Sequence, residues 1–339
     1  MQPSSSAEIV SSPPTELLER VAALMGSTPT GWLRASGGYT IAERWTLDLA
    51  DGQRVFAKMA TTDDLGHRLK DEYRNMLAAP NELRCQVLGW EAGKRPLLLV
   101  EDFSHGRWPP PWEPGDVERV LAGLNVLWDT PAPDFFKSAE RDRKTFSGWQ
   151  KLAVDPSGFL SLGFCSPAWL ERALPRLVEA ERSAFLDGND FVHFDIRGDN
   201  LCFAGERVVL VDWNFACRGP RDLDLVLWLP SLRLEGGPLP DDLIGDVPEY
   251  VAAWSGVFAN GASQPPPRGA PTVRHFQKRQ LRIALPWAAR ALGLPEPDLN
   301  WAQAETDALR RAFELGDVTQ GEWRLARDEV ERDAELARP

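Results

Sequence analysis

The stretch "FVHFDIRGDN", residues 191–200, sets His193, Asp195 and Asn200 at fixed offsets just where an apolar run stops. A second stretch, "RVVLVDWN", residues 207–214, ends an apolar strand on Asp212. Leu201–Phe203 and Arg207–Val211 read as two short strands about an Ala204-Gly205-Glu206 turn. A tight hairpin brings its ends together, so Asn200 and Asp212 present oxygen atoms close to each other, with Asp195 on the incoming loop. One carboxylate and one amide oxygen suit magnesium, which keeps several waters and shares phosphate oxygens. A separate carboxylate off the metal can accept a proton from an attacking hydroxyl. These are the parts that phosphoryl transfer requires. The competing reading is a loop whose Asp and Asn merely cap turns, and it needs all the spacings to coincide by chance. A zinc site has little support. His67, His105 and His275 lie far from His193, and Cys85, Cys165, Cys202 and Cys217 form no CxxC pair.

Phosphoryl transfer also needs a strand lysine to hold the donor phosphates, and "RVFAKMA" supplies Lys58. A lone strand lysine can equally snorkel to solvent. The helix that follows bears on the choice. Projected at about 100° per residue, Glu72 falls beside Leu65 and Met76 on the apolar face, while Asp71 points away. A carboxylate on a buried face needs a partner, and Lys58 is the obvious one. In "ASGGYT", residues 35–40, glycines would let backbone amides approach phosphates, with contacts from Ser36, Gly38 and Thr40. A plain glycine-rich hairpin turn is the alternative there.

"HFDIRGDN" followed by "VVLVDWNFACRGPRDLDL" resembles the catalytic and metal-binding segments of the aminoglycoside phosphotransferase and choline kinase family. The family pattern is His-x-Asp-x-x-x-x-Asn, a strand ending in Asp, and a further Asp-Leu. Here it falls on His193, Asp195, Asn200, Asp212 and Asp224-Leu225. The resemblance implies a protein-kinase-like α+β fold of two lobes, with Asp195 as catalytic base and Asn200 and Asp212 binding Mg2+. It makes His193 and Asp224 supports of the catalytic loop. Arg197 joins them, either paired with Asp199 or bracing Asp212. It also implies a Lys58–Glu72 pair and a hinge at "LLLVEDF", with Val100 behind the adenine and backbone groups of Glu101 and Phe103 bonding its edge. Glu101 and Asp102 read equally as a polar interlobe linker, and both readings can hold. Asp222 is a substrate contact or a charge at a helix N-terminus.

The elements that must position these groups are legible as patterns. A helix is expected over Glu16–Met25, strands over Ile41–Leu49 and Arg54–Met59 about the Asp51-Gly52 turn, and a helix over Asp64–Ala79. Strands at Cys85–Trp90 and Pro96–Val100 complete a small sheet. Longer helical patterns begin near Val117, and three more helices are expected over His275–Leu292, Trp301–Leu315 and Gly321–Ala337. The expected division is a disordered N-terminus at 1–14, a nucleotide-binding lobe at 15–100, a hinge at 101–103, and a helical lobe at 104–339 carrying the catalytic loop and acceptor site.

Composition narrows the partners. The net charge of -12 disfavours nucleic acid and anionic membranes and mildly favours cationic small molecules. No export signal or membrane span is apparent, so a cytoplasmic protein, monomeric or homodimeric, is expected. The acceptor is then a small molecule, with cationic ones in view. The acid-rich "PLPDDLIGDVPEY" and "LPEPDLNWAQAETD" suit a cation or are simply solvated. Trp213, Trp228, Trp254, Trp287 and Trp301 could cage an ammonium or fill the core. Three functions compete. The first is an ATP- or GTP-dependent small-molecule O-kinase, acting on an aminoglycoside-like compound or on a choline, amino-alcohol or sugar metabolite. The second, a protein kinase, is disfavoured because "DWNFA" stands in place of DFG. The third, a catalytically silent nucleotide-binding protein, is disfavoured because Lys58, Asp195, Asn200 and Asp212 are all present.

Overall fold

Alternating apolar residues near the N-terminus build a five-stranded antiparallel sheet in the order β1-β2-β3-β5-β4. Its strands are β1 (Pro29–Arg34), β2 (Glu43–Leu49), β3 (Arg54–Met59), β4 (Val87–Glu91) and β5 (Leu97–Glu101). The computed structural model describes residues 12–35, 42–267, 272–298 and 300–338. Strand β1 goes beyond the sequence reading. It pairs with β2 from Pro29↔Leu49 to Arg34↔Trp45, although "PTGWLR" lacks a clean alternation. Asp51 and Gly52 turn β2 into β3, with Gly52 at φ 85°, which glycine adopts without steric cost.

One sheet face is apolar. Trp45, Leu47, Leu49, Val55, Ala57, Met59, Leu97 and Leu99 pack there with Leu17 and Val21 of α1 (Thr15–Met25). Since strand side chains alternate, Lys58 leaves on the opposite face from Ala57 and Met59. Helix α2 (Asp63–Ala78) begins where the Thr62 side chain accepts from the Leu65 N–H at 3.3 Å.

The chain forms two compact units. One takes residues up to Arg107 together with Cys202–Asn214, and the other takes Trp108–Leu201 and Phe215 onward. The segment 202–214, expected with the helical lobe, thus groups with the sheet. The second unit is helical: α3 (Asp116–Asp129), α4 (Gly148–Leu152), α5 (Ser157–Leu160), α6 (Pro167–Ser183), α7 (Asp222–Leu234), α8 (Pro248–Ala262), α9 (Val273–Ala291), α10 (Trp301–Leu315) and α11 (Gln320–Leu336). Strand β6 (Asp190–Val192) pairs antiparallel with β9 (Cys217–Gly219), and β7 (Leu201–Ala204) forms a hairpin with β8 (Arg207–Leu210). No helix among the described residues is long and apolar enough to cross a membrane.

Charge, as well as apolar area, ties the last helices together. The Asp333 carboxylate of α11, fully buried, accepts from Arg279 of α9 at 2.8 and 2.9 Å and from Arg282 at 2.5 Å. Arg282 is itself buried, bonds Glu305 of α10 at 2.5 Å and lies over the Trp301 ring at 4.6 Å. Removing one member of a buried ion pair leaves the others uncompensated. Asp333→Ala should therefore cost about 3–5 kcal/mol in urea unfolding, and a loss within the error of the measurement would mean that water already reaches these guanidinium groups.

Candidate active site

Within the sheet unit, three of the residues singled out in the sequence converge. Lys58 Nζ lies 2.6 Å from Glu72 Oε2 and 3.3 Å from Asp212 Oδ1. The Lys58 and Glu72 side chains are 15% and 9% exposed, against 36% for Asp212. The lysine therefore does not snorkel: its alternation off the core face aims it at α2, where Glu72 waits on the buried stripe. Burial works against the ammonium, but the Glu72 and Asp212 carboxylates outweigh it and raise the Lys58 pKa above its ordinary value, so the group stays charged. Asp212 holds φ 65°, a left-handed backbone that Asp tolerates better than most side chains.

Asn214, which the sequence reading left unassigned, closes this cluster. Its amide donates to Glu72 Oε2 at 3.3 Å and also to Asp212 Oδ1. Its position two residues beyond Asp212 was the available signal. Asn75 of α2 donates to the Trp213 carbonyl at 3.0 Å, which ties the backbone beside Asp212 to the helix carrying Glu72. Of the hinge residues, Val100 is buried in β5. Glu101 gives its N–H to the Gln86 carbonyl at 2.9 Å. Phe103 lies under the Arg207 guanidinium at 5.8 Å. Asp102 accepts from Thr46 at 2.9 Å and from the Ser104 N–H at 3.2 Å, which stiffens the end of the strand. Ser36, Gly38 and Thr40 lie outside the described residues.

Within the helical unit, the catalytic-loop residues gather around two carboxylates. The Asn200 amide nitrogen donates to the Asp195 carbonyl at 2.9 Å and to Asp195 Oδ2 at 3.1 Å. That bond turns the Asn200 Oδ1 away from Asp195. Arg197 pairs with Asp199, one of the two arrangements expected for it: its Nε lies 3.0 Å from Asp199 Oδ1, and Asp195 Oδ1 stands further off at 3.7 Å. Asp224, in the first turn of α7, is fully buried. It accepts from the backbone N–H of His193 at 3.1 Å, from that of Phe194 at 2.7 Å, and from Trp128 Nε1 at 2.9 Å. Burial pushes its carboxyl up to about 6, with the three donors pulling the other way. His193 is buried beneath the loop. Phe194 holds φ 66°.

Most of the tryptophans weighed for an ammonium cage are core: Trp213, Trp228, Trp287 and Trp301 are buried. Trp254 is half-buried and packs edge-on to Phe258 with ring centres 5.5 Å apart. Among the described residues no group of three or more His, Cys, Asp or Glu side chains could hold a metal ion.

Residues 115–259 match the model of the phosphotransferase enzyme family. The resemblance read from the sequence holds. The chain is an enzyme, a phosphotransferase. The match takes in Asp195, Asn200, Asp212 and Asp224 and stops short of Lys58 and Glu72, whose pairing rests on geometry alone. Among solved structures, spectinomycin phosphotransferase in complex with ADP and spectinomycin is 13% identical over 96% of this chain and 94% of that one, with TM-score 0.49. A thermostable mutant of an aminoglycoside phosphotransferase, in its apo form, is 14% identical over 81% and 97%, with TM-score 0.48. The macrolide 2′-phosphotransferase of Brachybacterium faecium is 16% identical over 84% and 100%, with TM-score 0.48. No curated protein matches the chain.

Two tests follow from this geometry. Lys58→Met and Glu72→Gln each break the same contact, so in a double-mutant cycle on Mg-ATP affinity they should couple by about 0.5–3 kcal/mol. A coupling of zero would remove Lys58 from the site. Asp224→Ala strands two backbone donors and an indole N–H in the interior, and should lose on the order of 3 kcal/mol in chemical denaturation. A loss under about 1 kcal/mol would show that the loop holds itself without the carboxylate.

Proposed function

We propose that the protein transfers the γ-phosphate of ATP, or of GTP, to a hydroxyl of a small molecule, an aminoglycoside-like compound or another amine or sugar, with Mg2+. The observation that carries this reading is the Lys58–Glu72–Asp212 cluster: a charged lysine fixed between a buried carboxylate and a more exposed one. A lysine so held suits phosphate, because its position is set before the nucleotide arrives. The family match supports the reaction class.

Each remaining role belongs to a residue already placed. Asp195 is the base: it takes the proton from the acceptor hydroxyl as the oxygen attacks the γ-phosphorus and the bond to the β-phosphate oxygen breaks. The Asn200 amide, bonded to both the backbone and the carboxylate of Asp195, orients that base. Asn200 and Asp212 are the residues that would hold magnesium, which supplies positive charge to the phosphate oxygens when bound. Asp224 steadies the loop through the His193 and Phe194 N–H groups. The acidic balance of the chain supports a cationic acceptor, and the protein is expected to act in the cytoplasm.

The deciding experiment is a phosphotransfer screen of the purified protein, with Mg-ATP and Mg-GTP, against aminoglycosides, amino alcohols and sugars. Asp195→Asn should abolish transfer to any acceptor found while keeping Mg-nucleotide affinity within a few-fold of wild type. Retained turnover in that variant would unseat Asp195 as the base, and loss of nucleotide binding would place it on the phosphates instead.

A further inference from the structure

The catalytic loop is gripped at a second point that the reaction scheme leaves unused. Glu235 caps the C-terminal end of α7 and directs its carboxylate back against the loop. A Cβ added at Gly198 would lie 2.5 Å from Glu235 Oε2 and 2.8 Å from Oε1. The carboxylate therefore lies against the backbone between Arg197 and Asp199, and a side chain at Gly198 would have to push it aside. It is not loosely placed. Trp112 Nε1 donates to Oε2 at 2.9 Å, and the Ser231 hydroxyl lies 3.4 Å from Oε1. Trp112 is itself packed on Trp228 of α7, with ring centres 5.8 Å apart.

Around it stand charges from two further elements. Arg197 and Asp199 face Glu235 from the loop, and Arg279 faces it from α9. Arg197 also lies over the Phe276 ring of α9 at 5.3 Å. Burial pushes the Glu235 carboxyl up to about 7, as befits a group shielded from water by this packing. The loop thus has one anchor at each end of the same helix. Asp224 holds the backbone ahead of Asp195, and Glu235 meets it just before Asn200.

We propose that Glu235, held in place by Trp112, is a positioning residue that fixes the backbone of the catalytic loop at Gly198 and so sets the geometry of Asp195 and Asn200. The inference rests on the phosphotransferase reading for its consequence in turnover, but the contact can be tested without it. The bond accepted from Trp112 needs an oxygen, not a charge, so Glu235→Gln should preserve the loop where Glu235→Ala should not. Trp112→Phe keeps an aromatic ring at this position while removing the indole N–H together with the five-membered half of the ring.

Hydrogen exchange followed by mass spectrometry on the full chain reads the loop directly. In Glu235→Ala and Trp112→Phe, amides in the peptide covering residues 196–201 should exchange about fivefold faster, as expected for loss of one hydrogen bond. Peptides from α6 and α8 should be unchanged, and Glu235→Gln should match wild type. Steady-state Mg-ATP turnover should show a lower kcat at unaltered KM in the first two variants and recovery in the third. Unchanged loop exchange in Trp112→Phe would overturn the proposal, as would faster exchange spread evenly over α6 and α8. Should Glu235→Ala fail to fold, Trp112→Phe and Glu235→Gln decide the matter between them. If wild type moves no phosphate at all, the proposed function fails and the exchange result still stands for or against the Glu235 anchor.

Discussion

A single buried carboxylate, Asp224, sets the backbone from which the loop chemistry starts. Its oxygens take the successive N–H groups of His193 and Phe194, and consecutive N–H groups converging on one anion make a strong local trap. The loop backbone depends on that trap. Phe194 sits at φ 66°, a region that bulky side chains enter only at a cost on the order of 1–3 kcal/mol. Two charge-assisted bonds offset a cost of that size. The Trp128 indole supplies the third donor and leaves the carboxylate satisfied in an interior where it would otherwise be too expensive to bury. The Asp195 side chain begins one residue later, so its direction is inherited from this clamp.

Helix α7 can carry the clamp because it is apolar on every side. From Leu223 to Leu234 its residues are almost all buried, the signature of a helix inside a core rather than on a surface. Such a helix has no polar flank to present, and its functional groups stand at its ends. Asp224 lies in the first turn, where the helix dipole favours an anion. Ser231 and Glu235 lie roughly two and three turns further on, towards the end of the helix. A helix apolar along its length with polar ends suits a loop that holds two polar side chains, Asp195 and Asn200, in register.

The sheet unit meets a related difficulty with opposite charges. Glu72 is buried on α2 and needs a cation, and Lys58 is buried on β3 and needs an anion. Each makes the other affordable in the interior. The addition of Asp212 gives the ammonium a second, more exposed partner, and Asn214 bonds both carboxylates that share it. The result is a positive charge whose location is fixed by the fold while its surroundings remain negative overall. In the proposed reaction that is the place for a metal-bound phosphate.

Much of this was written in the sequence. The offsets of His193, Asp195, Asn200, Asp212 and Asp224 named the reaction class, because the motif packs several roles into short, ordered spacings that survive without knowledge of the fold. The helical periodicity of α2 put Glu72 on a buried face, and burial alone demanded a partner for it. Strand β1 escaped because an edge strand with only weak alternation carries little pattern. Trp128, Trp112 and Glu235 escaped for a different reason. Their partners lie far off in the chain or on another element, as Trp128 does from Asp224 and Trp112 from Glu235, and no local period encodes such a meeting. Local spacing determined which residues could do the chemistry. Only tertiary packing decided which charges are buried together, whether Lys58 faces a carboxylate or water, and which side chains hold the loop still, because desolvation and long-range contact exist only once the chain has folded.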